Sequence, residues 1–181
     1  MVRIFTALFI VLSISSMAQD ERGKITSALS FAPGFLTEKT YTIQVQGYVG
    51  YLKNKIEVRA DGFYFLGSYG DRPRFSMNHQ LFAGANYHFT ETAFQPYVGF
   101  QPGIALSQSS EYGTLNATTG ETEYVPSVNP LGSAVAGFSY YGEKLFFVFV
   151  EGRYIFGKHK SNTYPTFLDE ARLSFGLGFF F

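Results

Sequence analysis

From Lys24 to Phe181 the chain alternates apolar residues with polar or small ones, the two-residue period of a strand whose two faces differ. Clusters of Gly, Pro and charged residues interrupt the alternation at strand-like intervals. The pattern predicts strands at about 24–32, 41–52, 56–66, 75–89, 94–106, 131–141, 144–157 and 170–181. No segment carries the 3.6-residue period and caps of a helix. In the second strand Tyr41, Ile43, Val45, Val49 and Tyr51 oppose Thr42, Gln44 and Gln46. In the third, Ile56, Val58, Ala60, Tyr64 and Leu66 oppose Glu57, Arg59 and Asp61. The fourth sets Leu81, Ala83, Ala85, Tyr87 and Phe89 against Asn78, Gln80, Asn86 and His88. The seventh sets Phe146, Val148, Val150, Tyr154 and Phe156 against Glu151 and Arg153. In the last, Leu173, Phe175, Leu177, Phe179 and Phe181 oppose Arg172, Ser174, Gly176 and Gly178. The sixth strand barely distinguishes its faces, and Pro102 inside the fifth predicts a bulge near Gln101-Pro102-Gly103.

Connections alternate in length. Lys53-Asn54-Lys55, Thr90 to Ala93 and Gly142-Glu143 are tight, whereas 33–40, 67–74, 107–130 and 158–169 are long. An up-and-down meander with short turns at one end and long loops at the other has this signature, which is that of outer-membrane barrels. Alternation alone leaves a soluble lipocalin-like barrel open, with the apolar face inside and an apolar ligand bound there. Three features favour the inverted arrangement. Aromatics gather beside the short turns (Tyr51, Tyr87, Phe89, Phe94, Tyr140, Tyr141, Phe146, Phe179, Phe181) and near the long loops (Phe31, Tyr41, Tyr64, Phe75, Tyr154, Phe156), as in two membrane-interface girdles. Charges are almost absent from the apolar face. The chain ends in three Phe. The expected fold is an all-β, eight-stranded antiparallel up-and-down transmembrane β-barrel over residues 19–181.

The first residues read as an address. Arg3 precedes an apolar run from Ile4 to Ile14, and Ser16-Met17-Ala18 supplies the small residues of a cleavage site, so residues 1–18 are expected to be a secretory signal peptide. An uncleaved helical anchor is the alternative, but the run falls short of the roughly 20 residues a spanning helix needs. Composition narrows the function. The 181 residues carry 14 Lys+Arg against 14 Asp+Glu and no Cys, which argues against a nucleic-acid binder and excludes a disulfide scaffold, a lipoprotein anchor and a thiol nucleophile. His79 and His88 fall on opposite faces of the fourth strand and His159 in a later loop, so neither a zinc site nor any other metal or cofactor is expected.

The last strand, Leu173-Ser174-Phe175-Gly176-Leu177-Gly178-Phe179-Phe180-Phe181, with Gln95-Pro96-Tyr97-Val98-Gly99-Phe100 and Phe147-Val148-Phe149-Val150-Glu151-Gly152-Arg153-Tyr154, resembles the small porin-family outer-membrane β-barrel domain proteins, related in architecture to OmpA- and OmpX-type barrels. The inner stretches are similar to that family's PYxGxxxG and ExRY strand patterns. The resemblance implies residence in the bacterial outer membrane as a monomer, outer-membrane lipids and lipopolysaccharide as partners, and a terminal aromatic, here Phe181, read by the outer-membrane insertion machinery. Most small members have no established enzymatic role.

Candidate chemistry lies in two places. Glu57, Arg59, Asp61, Glu151, Arg153 and Arg172 all point to the expected lumen, three acids and three arginines. Eight strands leave room for little more than side chains, so a polar plug that also includes Gln44, Gln46, Gln80 and Asn86 is the expectation and an ion-conducting lumen the alternative. In the loops, 107–129 is the longest connection and carries Glu111, Glu121 and Glu123 without Lys or Arg, a surface for partners or a solvated loop. Arg72, Arg74, Lys158, His159 and Lys160 could meet lipopolysaccharide phosphates. His159-Lys160-Ser161-Asn162 also resembles the HxSN motif of outer-membrane lipid A 3-O-deacylases. That resemblance implies Ser161 as nucleophile, His159 as base, and Asp169 or Glu170 as its orienter. The motif lies in a polar loop rather than a lipid-facing strand, so a non-enzymatic structural or surface-interaction role is the leading expectation.

Overall fold

The computed structural model describes residues 23–37, 39–70, 75–110, 113–142, 145–160 and 165–181. The expected signal peptide, Arg72, Arg74, Glu111 and Ser161 lie outside them. Eight long strands form the wall: β1 (Lys24–Leu36), β2 (Thr40–Lys53), β3 (Ile56–Tyr69), β4 (Phe75–His88), β5 (Phe94–Ser109), β6 (Ser127–Tyr141), β7 (Phe146–His159) and β8 (Glu170–Phe180). Each pairs antiparallel with its sequence neighbours, and β8 closes on β1 from Thr26↔Phe180 to Leu36↔Glu170. Phe181 extends this closure, exchanging backbone hydrogen bonds with Ile25 at 3.0 and 2.9 Å. A closed antiparallel cylinder satisfies the backbone without a sheet edge, which is the requirement a bilayer imposes on strands.

The strands run further into the long-loop end than alternation alone indicated. β1 continues to Leu36 and β6 begins at Ser127. The 107–129 connection therefore shrinks, and within it Thr114–Leu115 and Thr122–Glu123 pair as a small hairpin. The expected bulge at Pro102 is absent. Pro102 stays paired with Gly132, and the β4–β5 register is the same on either side, at Phe82↔Gly103 and Ala85↔Phe100. The missing donor leaves the ladder open for two residues instead of inserting one. Pro33 repeats the device on the β8 side of β1, between Phe31↔Phe175 and Gly34↔Arg172. Register does shift between Ile43 and Gln44 in the β2–β3 ladder, and between Phe75 and Met77 in the β4–β5 ladder.

The faces sort as the alternation requires. Leu29, Val49, Val58, Tyr64, Leu81, Phe100, Val148, Leu173 and Leu177 point outward and are exposed, whereas Glu57, Arg59, Asp61, Glu151, Arg153 and Arg172 are buried inside. Of the aromatics assigned to the girdles, Tyr141 and Phe75 instead face the interior. Close approach of the walls depends on small residues. A Cβ on Gly84 would meet the Phe100 carbonyl and Gln101 backbone of the adjacent strand beside the Pro102 gap, 2.8 Å from Gln101 Cα. We expect Gly84→Ala to cost about 1–3 kcal/mol, because backbone rather than a movable side chain must yield; a urea midpoint in lipid vesicles unchanged from wild type would contradict this packing.

Candidate functional site in the barrel interior

Three layers occupy the interior. At the short-turn end Tyr48, Leu52, Tyr141, Phe147 and Phe149 form one apolar cluster, with Ala28 and Phe180 packed against it. Toward the long loops Ala32, Leu36, Phe63, Phe75, Phe82, Ala105, Leu131, Ile155 and Leu168 form another. Arg59, Asp61, Glu151 and Arg153 lie between them, while Glu57 pairs beside Leu52 of the first cluster and Glu170 beside Leu36 of the second. Parity produces this stacking: Glu57, Arg59, Asp61, Phe63 and Phe65 share one face of β3, while Phe147, Phe149, Glu151, Arg153 and Ile155 share one face of β7.

Arg59 and Arg153 join these opposite walls. Arg59 Nε donates to Asp61 Oδ2 at 2.9 Å and Nη2 donates to Glu151 across the lumen. Arg153 donates from Nη2 and Nε to Glu151 Oε1 at 3.0 and 3.2 Å, and its Nη2 lies 3.3 Å from Asp61 Oδ2. Its Nη1 donates to Gln101 Oε1 at 2.7 Å and to Ser133 Oγ at 3.0 Å. Tyr97 donates its hydroxyl proton to Glu151 Oε2 at 2.9 Å, and Gln46 Nε2 donates to Asp61 Oδ1 at 2.7 Å. The guanidiniums also rest on aromatic faces: Arg59 lies 4.3 Å from the Tyr48 centroid, Arg153 5.0 Å from both Phe63 and Phe82, and Arg172 4.3 Å from Phe63. Charges taken out of water persist when paired and fully hydrogen-bonded, and most of these atoms are.

Two smaller groups flank the centre. Glu57 accepts from Thr26 Oγ1 at 2.9 Å and from Asn86 Nδ2 at 3.0 Å, with His88 Nε2 3.5 Å away. Toward the long loops, Arg172 Nη2 donates to Glu170 Oε2 at 2.6 Å and to Gln80 Oε1 at 3.0 Å, and Thr42 Oγ1 donates to Glu170. Gly34 leaves the space that Glu170 fills, since a Cβ there would collide with its carboxyl group. Glu170 is thus a fourth buried acid, an addition to the even balance read from sequence. Continuing the inward parity of Arg172 by two residues would have found it.

The six residues expected in the lumen are all buried there, Arg59, Asp61, Glu151 and Arg153 in one network and Glu57 and Arg172 in the groups that flank it. Of the acyl-hydrolase reading, Ser161 lies outside the described residues, and His159 makes its contacts with neither Asp169 nor Glu170. His159, two residues beyond the expected end of its strand, turns into the interior instead of the rim: its Nδ1 lies 2.9 Å from Ser107 Oγ, 3.1 Å from Ser127 Oγ and 3.4 Å from Asn129 Nδ2. Glu170 serves Arg172, and the Asp169 carboxylate accepts from Gly157 N at 3.0 Å. Lys158 and Lys160 remain exposed at the long-loop end, Lys158 lying 4.8 Å from the Phe167 ring. No group of three His, Cys, Asp or Glu suited to a metal occurs among the described residues.

The closed eight-stranded antiparallel wall is shared with solved structures of outer-membrane proteins. Neisserial surface protein A superposes with a TM-score of 0.64 at 17% identity, covering 86% of this chain and 95% of that one. The fold is that of the eight-stranded outer-membrane barrels. OprG of Pseudomonas aeruginosa gives a TM-score of 0.62 at 14% identity, over 88% of this chain and 96% of that one. The N-terminal β-barrel domain of OprF from the same organism gives 0.54 at 15%, over 88% and 98%. No family model and no curated protein matches the sequence.

Proposed function

We propose that this chain is an integral outer-membrane protein whose interior is a closed polar plug and whose role is structural or exerted through the surface of its long loops. The supporting observation is the inversion of the barrel: Arg59, Asp61 and Glu151 are buried between two apolar clusters, while the wall presents Leu, Val, Ile and aromatic side chains outward. An apolar exterior of this extent suits acyl chains, and rings at both ends suit the two interfaces: Tyr51, Tyr87, Phe94 and Phe146 at one, Tyr41, Tyr64, Tyr154 and Phe156 at the other. In this reading export uses the leader at 1–18, Phe181 is read by the insertion machinery, and the barrel is monomeric. Lys158 and Lys160 then face lipopolysaccharide phosphates. A soluble apolar-ligand binder would need the opposite arrangement of faces. The hydrolase reading is weakened by the engagement of His159 with Ser107, Ser127 and Asn129, away from any lipid-facing surface. Fractionation tests the proposal: the protein should be recovered with outer membranes, need detergent, and migrate faster on gels before boiling than after. Recovery in the soluble periplasmic fraction would refute it.

A further inference from the structure

Among the described residues, the seam between β3 and β4 leaves the longest stretch of two neighbouring strands unpaired. The β3–β4 ladder runs from Ile56↔Tyr87 to Phe63↔Gln80 and stops there, although β3 continues to Tyr69 and β4 begins at Phe75. Among the described residues no ladder pair joins 64–69 to 75–79. Both strands change register against their other neighbours near this level. β3 shifts register against β2 beside Leu66, and β4 shifts against β5 between Phe75 and Met77. Side chains cross the gap in place of the ladder. The His79 ring accepts a hydrogen bond from the Phe65 backbone amide at its Nδ1, 3.1 Å, and stacks on Tyr64 with centroids 4.5 Å apart. Ser68 Oγ lies 3.5 Å from the Phe75 carbonyl.

We propose that the barrel wall opens reversibly between β3 and β4 in its long-loop half, with the His79 ring as the latch. Opening along a fully paired stretch must break a run of mutually supporting backbone hydrogen bonds, whereas here, among the described residues, one ring stack and two polar contacts cross between the strands. The layer behind the seam is already short of partners. Gln44 Nε2 and Oε1, Asn78 Nδ2 and Arg172 Nη1 are buried and make no hydrogen bond among the described residues. Gln44 is paired across the ladder with Phe65, the residue the latch holds, and Asn78 adjoins His79. An opening therefore gives solvent or polar groups of the interface access to donors and acceptors that the closed wall leaves unmet.

Amide hydrogen exchange on the protein folded in lipid vesicles tests this. Residues 64–69 and 75–79 should exchange roughly tenfold or more faster than the paired segments 57–63 and 80–86 of the same two strands. His79→Ala should accelerate exchange in both segments, and an oxidised Leu66→Cys/Met77→Cys pair, in a chain otherwise free of Cys, should suppress it. Equal protection of the two halves in the wild-type protein overturns the proposal. So does an unaltered exchange rate in His79→Ala, which would remove the latch. Because the wild-type measurement stands alone, a variant that fails to fold leaves the question decidable.

Discussion

Arg59→Met should be the most damaging single substitution in this barrel, costing about 3–5 kcal/mol, the range for removing one partner from a buried ion network. Arg59 touches Asp61 and Glu151, lies 3.9 Å from Glu57, and covers the face of Tyr48. The methionine side chain fills much of the same volume, so the loss measures charge rather than cavity. Three carboxylates then share less compensation. Arg153 alone would face Asp61 and Glu151. Equilibrium unfolding in urea from lipid vesicles, followed by tyrosine fluorescence and by gel shift, reads the change. A double-mutant cycle isolates the pair: Glu151→Gln on the Arg59→Met background should cost much less than on the wild type, because the charge being removed has already lost its partner. A cost below about 1 kcal/mol would mean that the carboxylates are solvated much as at a surface. The closed-plug proposal would then give way to a hydrated lumen.

The sequence made this network partly legible for a simple geometric reason. Residues two apart in a strand share a face, so Glu57-x-Arg59-x-Asp61 and Glu151-x-Arg153 declare themselves as neighbours once strands are recognised. The same parity carries further than the sequence reading followed it. Phe63 and Phe65 continue the face of Asp61, Phe147 and Phe149 precede that of Glu151, and His159 completes that of Arg153. Expecting apolar residues outside concealed the two apolar clusters inside. What parity cannot supply is which strand faces which across the lumen. The Arg59–Glu151 contact spans 92 residues and Thr42–Glu170 spans 128, and both depend on how far the strands stagger as the cylinder closes. Pro102 failed as a bulge signal for a related reason. Its lost donor is one hydrogen bond on one side of the strand, and continued pairing of Gln101, Pro102 and Gly103 with β6 holds the register that an isolated hairpin would surrender. The interrupted β3–β4 ladder is only faintly marked in sequence: Tyr64-Phe65-Leu66 is an unbroken apolar run and Gly67-Ser68 reads as the start of a loop, but neither shows that pairing with β4 stops at Phe63.

Ala83→Arg provides the sharpest separation between a wall immersed in hydrocarbon and one merely rich in apolar residues. Ala83 faces outward between Leu81 and Ala85 and pairs with Ala60, with no charged residue beside it on that face. Tyr87, four residues away in β4, belongs to the ring of aromatics at the short-turn end. At about 3.4 Å per residue and a strand tilt near 40°, Ala83 lies roughly 10 Å beyond that ring, close to the middle of an apolar band about 25 Å tall. A guanidinium there has no interior partner and too far to reach for either interface. The expected loss is about 2–4 kcal/mol in vesicles. Thr92→Arg, in the exposed turn between β4 and β5, should stay within about 0.5 kcal/mol of wild type under the same conditions. Both sites are exposed in the isolated chain, so exposure alone gives no reason for them to differ. Only a surrounding solvent that cannot solvate charge separates them. Equal, small effects would place water against the apolar wall and remove the ground for assigning this barrel to a membrane.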